Sequence, residues 1–288
     1  MNNIRAYVSD LVSLTKPPII SLLLVTATGA IFLASDGSPP LFITIYILIG
    51  GTLGAAGASV INNVIDRNID KAMIRTSKRA VPSRRITPTS ALVYGILLNV
   101  FSFILLNFTV NFTSAFLTIF ASLFYIFIYT IYLKPRTTQN IVIGGAAGCF
   151  PPVIAWVGII GYEGLFNLSP WFMFLIIFVW TPPHFWALAL VRVDEYKKVG
   201  IPMLPVVAGL DVTRRHIFWY AVALVLCSFG PVVIGFSGVI YGLGAALLGG
   251  VFVFLAISLC RRRTSDGARR LFSFSILYLF LIFLLLGL

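Results

Sequence analysis

Nine apolar stretches, each long enough to cross a bilayer as a helix, leave this chain few alternatives to a membrane bundle. They run approximately over Pro18–Ser35, Leu41–Ile61, Ser90–Asn107, Phe112–Leu133, Ile141–Gly161, Pro170–Val191, Ile217–Gly235, Val239–Cys260 and Leu271–Leu288. A hydrocarbon core about 30 Å thick takes about 20 helical residues, far more than a barrel strand needs. Inside it no water pairs with the peptide groups, so each segment must satisfy its own backbone. Gly and Pro interrupt several spans, which neighbouring membrane helices tolerate. Hydrophobic residues make up 59% of the 288 and charged residues 10%, with a mean hydropathy of +1.00. The expectation is an all-α polytopic membrane bundle of nine transmembrane helices. No linker is long enough to divide it, so residues 1–288 form a single domain.

The charges support the count. All 21 Lys and Arg residues fall at the amino terminus or in even-numbered loops: two before the first span, then seven, two, five and five. The odd-numbered loops hold none. By the positive-inside rule the amino terminus and even loops are cytoplasmic, and nine spans put the carboxyl terminus outside. The net charge of +12 is then a product of topology, with attraction to anionic lipid and anionic substrates. It is no sign of nucleic-acid binding, because there is no soluble basic domain to bind one. Cys149, Cys227 and Cys260 are odd in number and lie in or beside spans, which argues against structural disulfides and metal clusters. The first 16 residues resemble neither a cleavable leader nor a transit peptide, which favours a prokaryotic cytoplasmic (cell) membrane.

The longest polar run, Asn62 to Pro88, carries seven of the cationic residues. Within it Asn62, Asp66 and Asp70 recur every four residues. On a continuous helix they would stack along one face about 6 Å apart. Two carboxylates and an amide suit Mg²⁺, a hard cation often shared with a substrate phosphate. Arg67, Lys71 and Arg75 form a neighbouring stripe, followed by Lys78 and Arg79. The plainer alternative is a solvated loop whose Asp residues pair with Arg67 and Lys71 at helical spacing.

Three other inner loops frame this segment. Residues 191–216 are also longer than a tight connection needs and carry Arg192, Asp194, Glu195, Lys197, Lys198 and Asp211. Their Gly200–Pro205 run is apolar enough to lie against the bundle mouth, so loops 62–88 and 191–216 are expected to face each other and cap one cavity. The short 134–140 loop offers Lys134 and Arg136 beside the rigid Pro135. The 261–270 charge run serves as a topology anchor. Within the spans, His184 is the only side chain among Asp, Glu, Lys, Arg and His. Such poverty disfavours an ion-coupled transporter. His184 sits in Trp180-Thr-Pro-Pro-His-Phe-Trp186. There it is either a histidine satisfied by a backbone carbonyl or the polar point of an aromatic recess for a large planar ligand.

With these residues in hand, the sequence resembles the UbiA-type intramembrane prenyltransferases, and within them the haem branch. The resemblance spans nearly the whole chain and rests on four blocks: LTKPPIISLLLVT at 14–26, NNVIDRNIDKAMIRTSKR at 62–79, YTIYLKPRTTQNIVIGGAAG at 129–148, and WTPPHFWALA with DEYKKVGIPMLP at 180–205. It implies a nine-helix fold with a cytoplasmic-facing active site and Mg²⁺ bound by the catalytic residues Asn62, Asp66 and Asp70. It further implies a diphosphate held by cations among Arg67, Lys71, Arg75, Arg79, Lys134 and Arg136. Trp180, His184, Trp186, Asp194 and Lys198 are the expected acceptor residues, with Asp194 as a further metal ligand. The reaction implied is farnesyl transfer from farnesyl diphosphate to a vinyl group of protohaem IX with addition of water, giving haem O. Haem A synthase or terminal oxidase assembly factors are the partners it suggests. Pro18 and Pro135 stand where similar sequences carry Arg, and Ala80 where they carry Pro. The second aspartate motif is reduced to Asp194-Glu195 with Lys198, which leaves a second metal short of ligands. A quinone-precursor prenyltransferase and a non-enzymatic haem or lipid carrier are the rival readings.

Overall fold

A computed structural model describes residues 2–287. Among the described residues, nine helices have the length and apolarity to cross a membrane. In chain order the helices are α1 (Asn2–Leu14), α2 (Pro17–Ala34), α3 (Leu41–Ile65), the short α4 (Arg67–Ala72), α5 (Pro88–Thr109), α6 (Phe112–Leu133), α7 (Asn140–Ile160), α8 (Leu168–Val191), the short α9 (Val193–Lys198), α10 (Leu210–Val233), α11 (Val239–Arg262) and α12 (Ser265–Leu286). The expected spans all appear, with ends shifted by local chemistry. α10 starts at Leu210 rather than Ile217, because Gly209 breaks the chain at φ +85° and Asp211 complements the helix amino terminus. Side-chain caps set other starts. Thr87 Oγ1 accepts the Ser90 amide before α5, and Asn111 Oδ1 accepts the Ser114 amide before α6.

α2 packs on α7 and α12, α8 on α10 and α12, and α3 chiefly on α5. The main core runs between α2, α8, α10, α11 and α12, through residues such as Ile31, Met173, Ile176, Ile217, Phe252 and Phe283. Outward faces remain apolar, as at Phe101, Phe116, Leu226 and Leu247, because they meet lipid rather than water. Helix association therefore rests on close packing more than on the hydrophobic effect. The α3–α5 pair shows how. A β-carbon on Gly57 would lie 2.7 Å from the Gly95 carbonyl oxygen and 2.2 Å from Asn99 Nδ2. Hydroxyls add cross-links, with Ser102 Oγ donating to the Gly50 carbonyl at 2.6 Å.

α1 lies apart from the spans. Ile4, Tyr7, Val8 and Val12 form an exposed stripe at helical spacing, while Leu14 is buried. Leu14 shares an apolar cluster with Val60, Val64, Val81, Ile86 and Ala91, joining α1, α3, the coil after α4 and α5. Arg85 clamps Asp10 bidentately, Nε to Oδ2 at 2.8 Å and Nη2 to Oδ1 at 2.9 Å. α1 is the amphipathic surface segment its sequence suggests.

Candidate active site

The Asn62–Asp66–Asp70 spacing survives a break in the helix. α3 ends at Ile65 and Asp66 opens α4, yet the Asp66 amide still donates to the Asn62 carbonyl at 2.9 Å and the Asp70 amide to Asp66 at 2.8 Å. The three side chains therefore keep one face, and it turns inward. Asn62 is 2% exposed, Asp66 4% and Asp70 4%. Beyond Ala72 the chain turns at the extended Met73 instead of continuing as helix.

Each oxygen meets a cation from a different part of the chain. Lys134 Nζ donates to Asp66 Oδ2 at 2.5 Å, and Arg79 Nη1 to Asp70 Oδ2 at 2.7 Å. Lys16 Nζ donates to Asn62 Oδ1 at 2.7 Å. The Asn62 amide links the group, donating to Asp66 Oδ2 at 2.9 Å and to Thr130 Oγ1 at 3.0 Å. Thr130 and Lys134 are delivered by the widened end of α6, where residues 124–133 form π-helical turns, an irregularity often found at functional sites. Lys16 arrives through a left-handed turn, φ 58°, between α1 and α2. Desolvation and the nearby Arg79 charge pull its pKa down to about 7, with Lys134 adding to the drop and Asp66 and Asp70 opposing it.

Three buried hard oxygens are the donor type that Mg²⁺ prefers. The positive charge at each oxygen in the structure marks where such an ion would be accepted. Two carboxylates and an amide supply fewer than the six ligands of Mg²⁺, leaving positions for water or phosphate oxygens.

The structure redistributes the other expected residues. Arg79 and Lys134 reach the inner face. Arg67 and Lys71 do not: both are exposed on the opposite side of α4, in a groove with Arg84. Arg75 is exposed toward the second long loop, its pKa lowered by partial burial and then by the Arg79 and Arg192 charges. Arg136 folds back on its own helix end, donating to the Ile131 and Tyr132 carbonyls at 2.8 and 3.0 Å. Asp194 and Lys198 are exposed on α9. The half-buried acid is their neighbour Glu195, facing Arg192 at 3.4 Å, so Asp194 is poorly placed as a metal ligand.

His184 belongs to the α8–α12 seam. Its ring stacks between Trp180 and Phe272, at centroid distances of 4.3 and 4.6 Å. Nδ1 lies 2.6 Å from Ser275 Oγ, whose own proton goes to the Phe272 carbonyl at 2.6 Å. The serine must then accept, which assigns the Nδ1–H tautomer and leaves the Nε2 lone pair free. Trp180 Nε1 donates to the Ser275 carbonyl at 2.7 Å. Trp186 faces elsewhere, edge-on to His216 and Tyr220 of α10. The aromatic block thus divides between two seams instead of forming one recess.

Lys16 and Thr130 lie within the family-like blocks but are not among the expected site residues. One sits next to a proline pair and the other in an apolar span, and their partners are 46 and 68 residues away. The second long loop does lie beside the first: Ile201 and Met203 are buried with Ile141 and Ala189, and Ile69 packs against them.

The model of the UbiA prenyltransferase family matches residues 22–284. The chain belongs to the UbiA prenyltransferase family. A family relative from Rhodopseudomonas palustris (strain ATCC BAA-98 / CGA009), named protoheme IX farnesyltransferase, is 46% identical over 98% of this chain and 90% of its own. Among solved structures, a digeranylgeranylglyceryl phosphate synthase superposes with a TM-score of 0.79 at 18% identity, covering 100% of this chain and 98% of that one. A UbiA homologue from Archaeoglobus fulgidus bound to GPP and Mg²⁺ gives a TM-score of 0.64 at 14% identity, over 97% of this chain and 100% of that one. Such distant structures establish the UbiA fold alone. Membership makes this chain a multi-pass membrane prenyltransferase.

Proposed function

We propose that this chain transfers the farnesyl group of farnesyl diphosphate to a vinyl group of protohaem IX, with addition of water, forming haem O and diphosphate. The name shared by its near-full-length relatives supports the substrate pair. The observation that carries the chemistry is the buried set of Asn62, Asp66 and Asp70 met by Lys16, Lys134 and Arg79. Bound Mg²⁺, held by Asn62, Asp66 and Asp70, would supply Lewis-acid stabilisation of the departing diphosphate.

The chain's own residues set the rest. Lys16, Lys134 and Arg79 neutralise charge that grows on the diphosphate as the allylic carbon–oxygen bond breaks and its electron pair leaves with the phosphate. The vinyl carbon then bonds to the allylic cation, water captures the cation left beside the porphyrin, and its proton passes to solvent. Apolar surroundings delay water until the carbon–carbon bond exists. The positive-inside rule supports a site on the cytoplasmic side of the cell membrane, with loops 62–88 and 191–216 as its cover. Incubating the protein in membranes with protohaem, farnesyl diphosphate and Mg²⁺, followed by mass analysis, tests the reading. Haem O and diphosphate in equal amounts are expected. Retained haem without diphosphate release would instead make the protein a carrier, and a prenylated quinone precursor would make it a different transferase.

Two effects follow from individual groups. Burial and the Arg79 charge hold the Lys16 pKa down to about 7 in the ligand-free protein, so diphosphate binding at higher pH is expected to draw in a proton. Pyrophosphate affinity is expected to weaken as pH rises through this value, by at most about tenfold per unit for one proton. Lys16→Met should remove that part of the slope, checked by titration of both proteins across the neutral range.

His184 offers a fixed imidazole with one free nitrogen, suited to the haem iron or a propionate proton. His184→Ala is expected to weaken haem binding by about tenfold while leaving pyrophosphate affinity near its original value. Equal losses for both ligands would remove His184 from the acceptor site. Trp180 acts with it, whereas Trp186 serves packing.

A further inference from the structure

The outer side of α4 forms a groove of about 360 Å³ with the coil of residues 81–87 and the start of α5. Arg67, Lys71 and Arg84 line it together with Val81, Ile86 and Pro88, and no carboxylate does. Among the described residues, none of these three cations takes part in an ion pair. Arg67 makes only a bond to the Val64 carbonyl at 2.9 Å. The acids close in sequence are committed elsewhere, Asp66 to Lys134 and Asp70 to Arg79, and Asp10 of α1 pairs with Arg85. Arg84 holds a left-handed backbone, φ 62°, which a non-glycine residue adopts at a cost in strain. Three like charges gathered in one groove repel unless an anion joins them. Arginine forks match phosphate oxygens in pairs.

The level of the groove narrows the anion. It lies where two membrane helices emerge, and Val81 and Ile86 of its lining belong to the same apolar cluster as Leu14 of α1. α1 in turn carries the exposed Ile4, Tyr7, Val8 and Val12 stripe suited to the bilayer interface. Phosphate groups at that depth belong mainly to lipid.

We propose that this groove binds the phosphate of an anionic glycerophospholipid. Arg67, Lys71 and Arg84, all exposed, hold the headgroup. The lipid pins the outer side of the segment whose inner side carries Asp66 and Asp70.

The test uses the full chain in nanodiscs of phosphatidylcholine with a minor share of phosphatidylglycerol, comparing wild type with the Lys71→Gln, Arg84→Gln double variant. Bound lipid is counted by native mass spectrometry, and pyrophosphate affinity is measured on the same samples. Wild type should retain phosphatidylglycerol over phosphatidylcholine, and the double variant should lose that preference by about tenfold or more. Pyrophosphate affinity should stay unchanged. Equal retention of the two lipids by wild type overturns the proposal. So does displacement of the lipid by inorganic phosphate, which would mark a free-phosphate site. A fall in pyrophosphate affinity in the variant would assign the groove to the substrate and also overturn it. Lys71→Gln alone changes only an exposed side chain and supplies the same measurement if the double variant does not fold.

Discussion

Asp66→Asn and Asp70→Asn are each expected to lower prenyl transfer by about a thousandfold while the protein stays folded in membranes. The size follows from several kcal/mol of metal-assisted charge stabilisation at the leaving group, at one factor of ten for each 1.36 kcal/mol. Asparagine keeps the shape and one oxygen but removes the charge a divalent ion needs. It is a better probe than alanine. Asp66 is paired with Lys134, and Asp70 with Arg79, in buried surroundings. Alanine would leave the cation with neither charge nor oxygen, at a cost of about 3–5 kcal/mol, so lost folding would imitate lost catalysis. Asparagine's remaining oxygen still accepts from the cation and limits that cost. Product formation should fall for both variants, with gel-filtration profile and melting midpoint close to wild type. Near-normal turnover of either with Mg²⁺ would end the metal assignment.

Gly57→Ala should do the opposite, destabilising the protein first and lowering activity through the backbone. The new β-carbon would meet the Gly95 carbonyl oxygen at 2.7 Å, a backbone atom that cannot swing aside. Asn99, the other neighbour, is tied to the same carbonyl by Nδ2 at 3.0 Å. Overpacking of this kind costs about 1–3 kcal/mol. Because Gly57 stands five residues before Asn62, about 7.5 Å along α3, pushing the helices apart displaces the oxygen face as well. Melting temperature and prenyl transfer should fall together, whereas Asp66→Asn moves only the second. Wild-type stability in Gly57→Ala would mean that α3 and α5 are held by contacts other than this close approach.

Much of the architecture was legible because it follows from local rules. Hydrocarbon thickness sets span length, so nine helices appear close to the stretches that their apolarity marks. The four-residue period of Asn62, Asp66 and Asp70 placed their oxygens on one face, and hydrogen bonds carry that phase across the break at Asp66. The assignment of cations was less legible. Arg67 and Lys71 share the acidic segment's period and so seemed its natural partners, but a helix has two sides, and theirs faces away. The block around His184 misled in the same manner. Three aromatic positions within seven residues suggest one recess, yet a helix fans them toward α10 and α12 separately.

By itself the sequence determined the membrane bundle, its family and the oxygen-bearing face, since each depends on spacing within one segment or on motifs along the chain. Only the tertiary structure decided which charges meet that face: Lys16 and Lys134 come from 46 and 68 residues away and are brought there by helix packing. It also sent Arg67 and Lys71 outward and turned Glu195, rather than Asp194, toward the protein. The physical reason is that periodicity fixes angles around one helix axis, while the rotation of that helix against its neighbours is settled by close contacts such as Gly57 against Gly95.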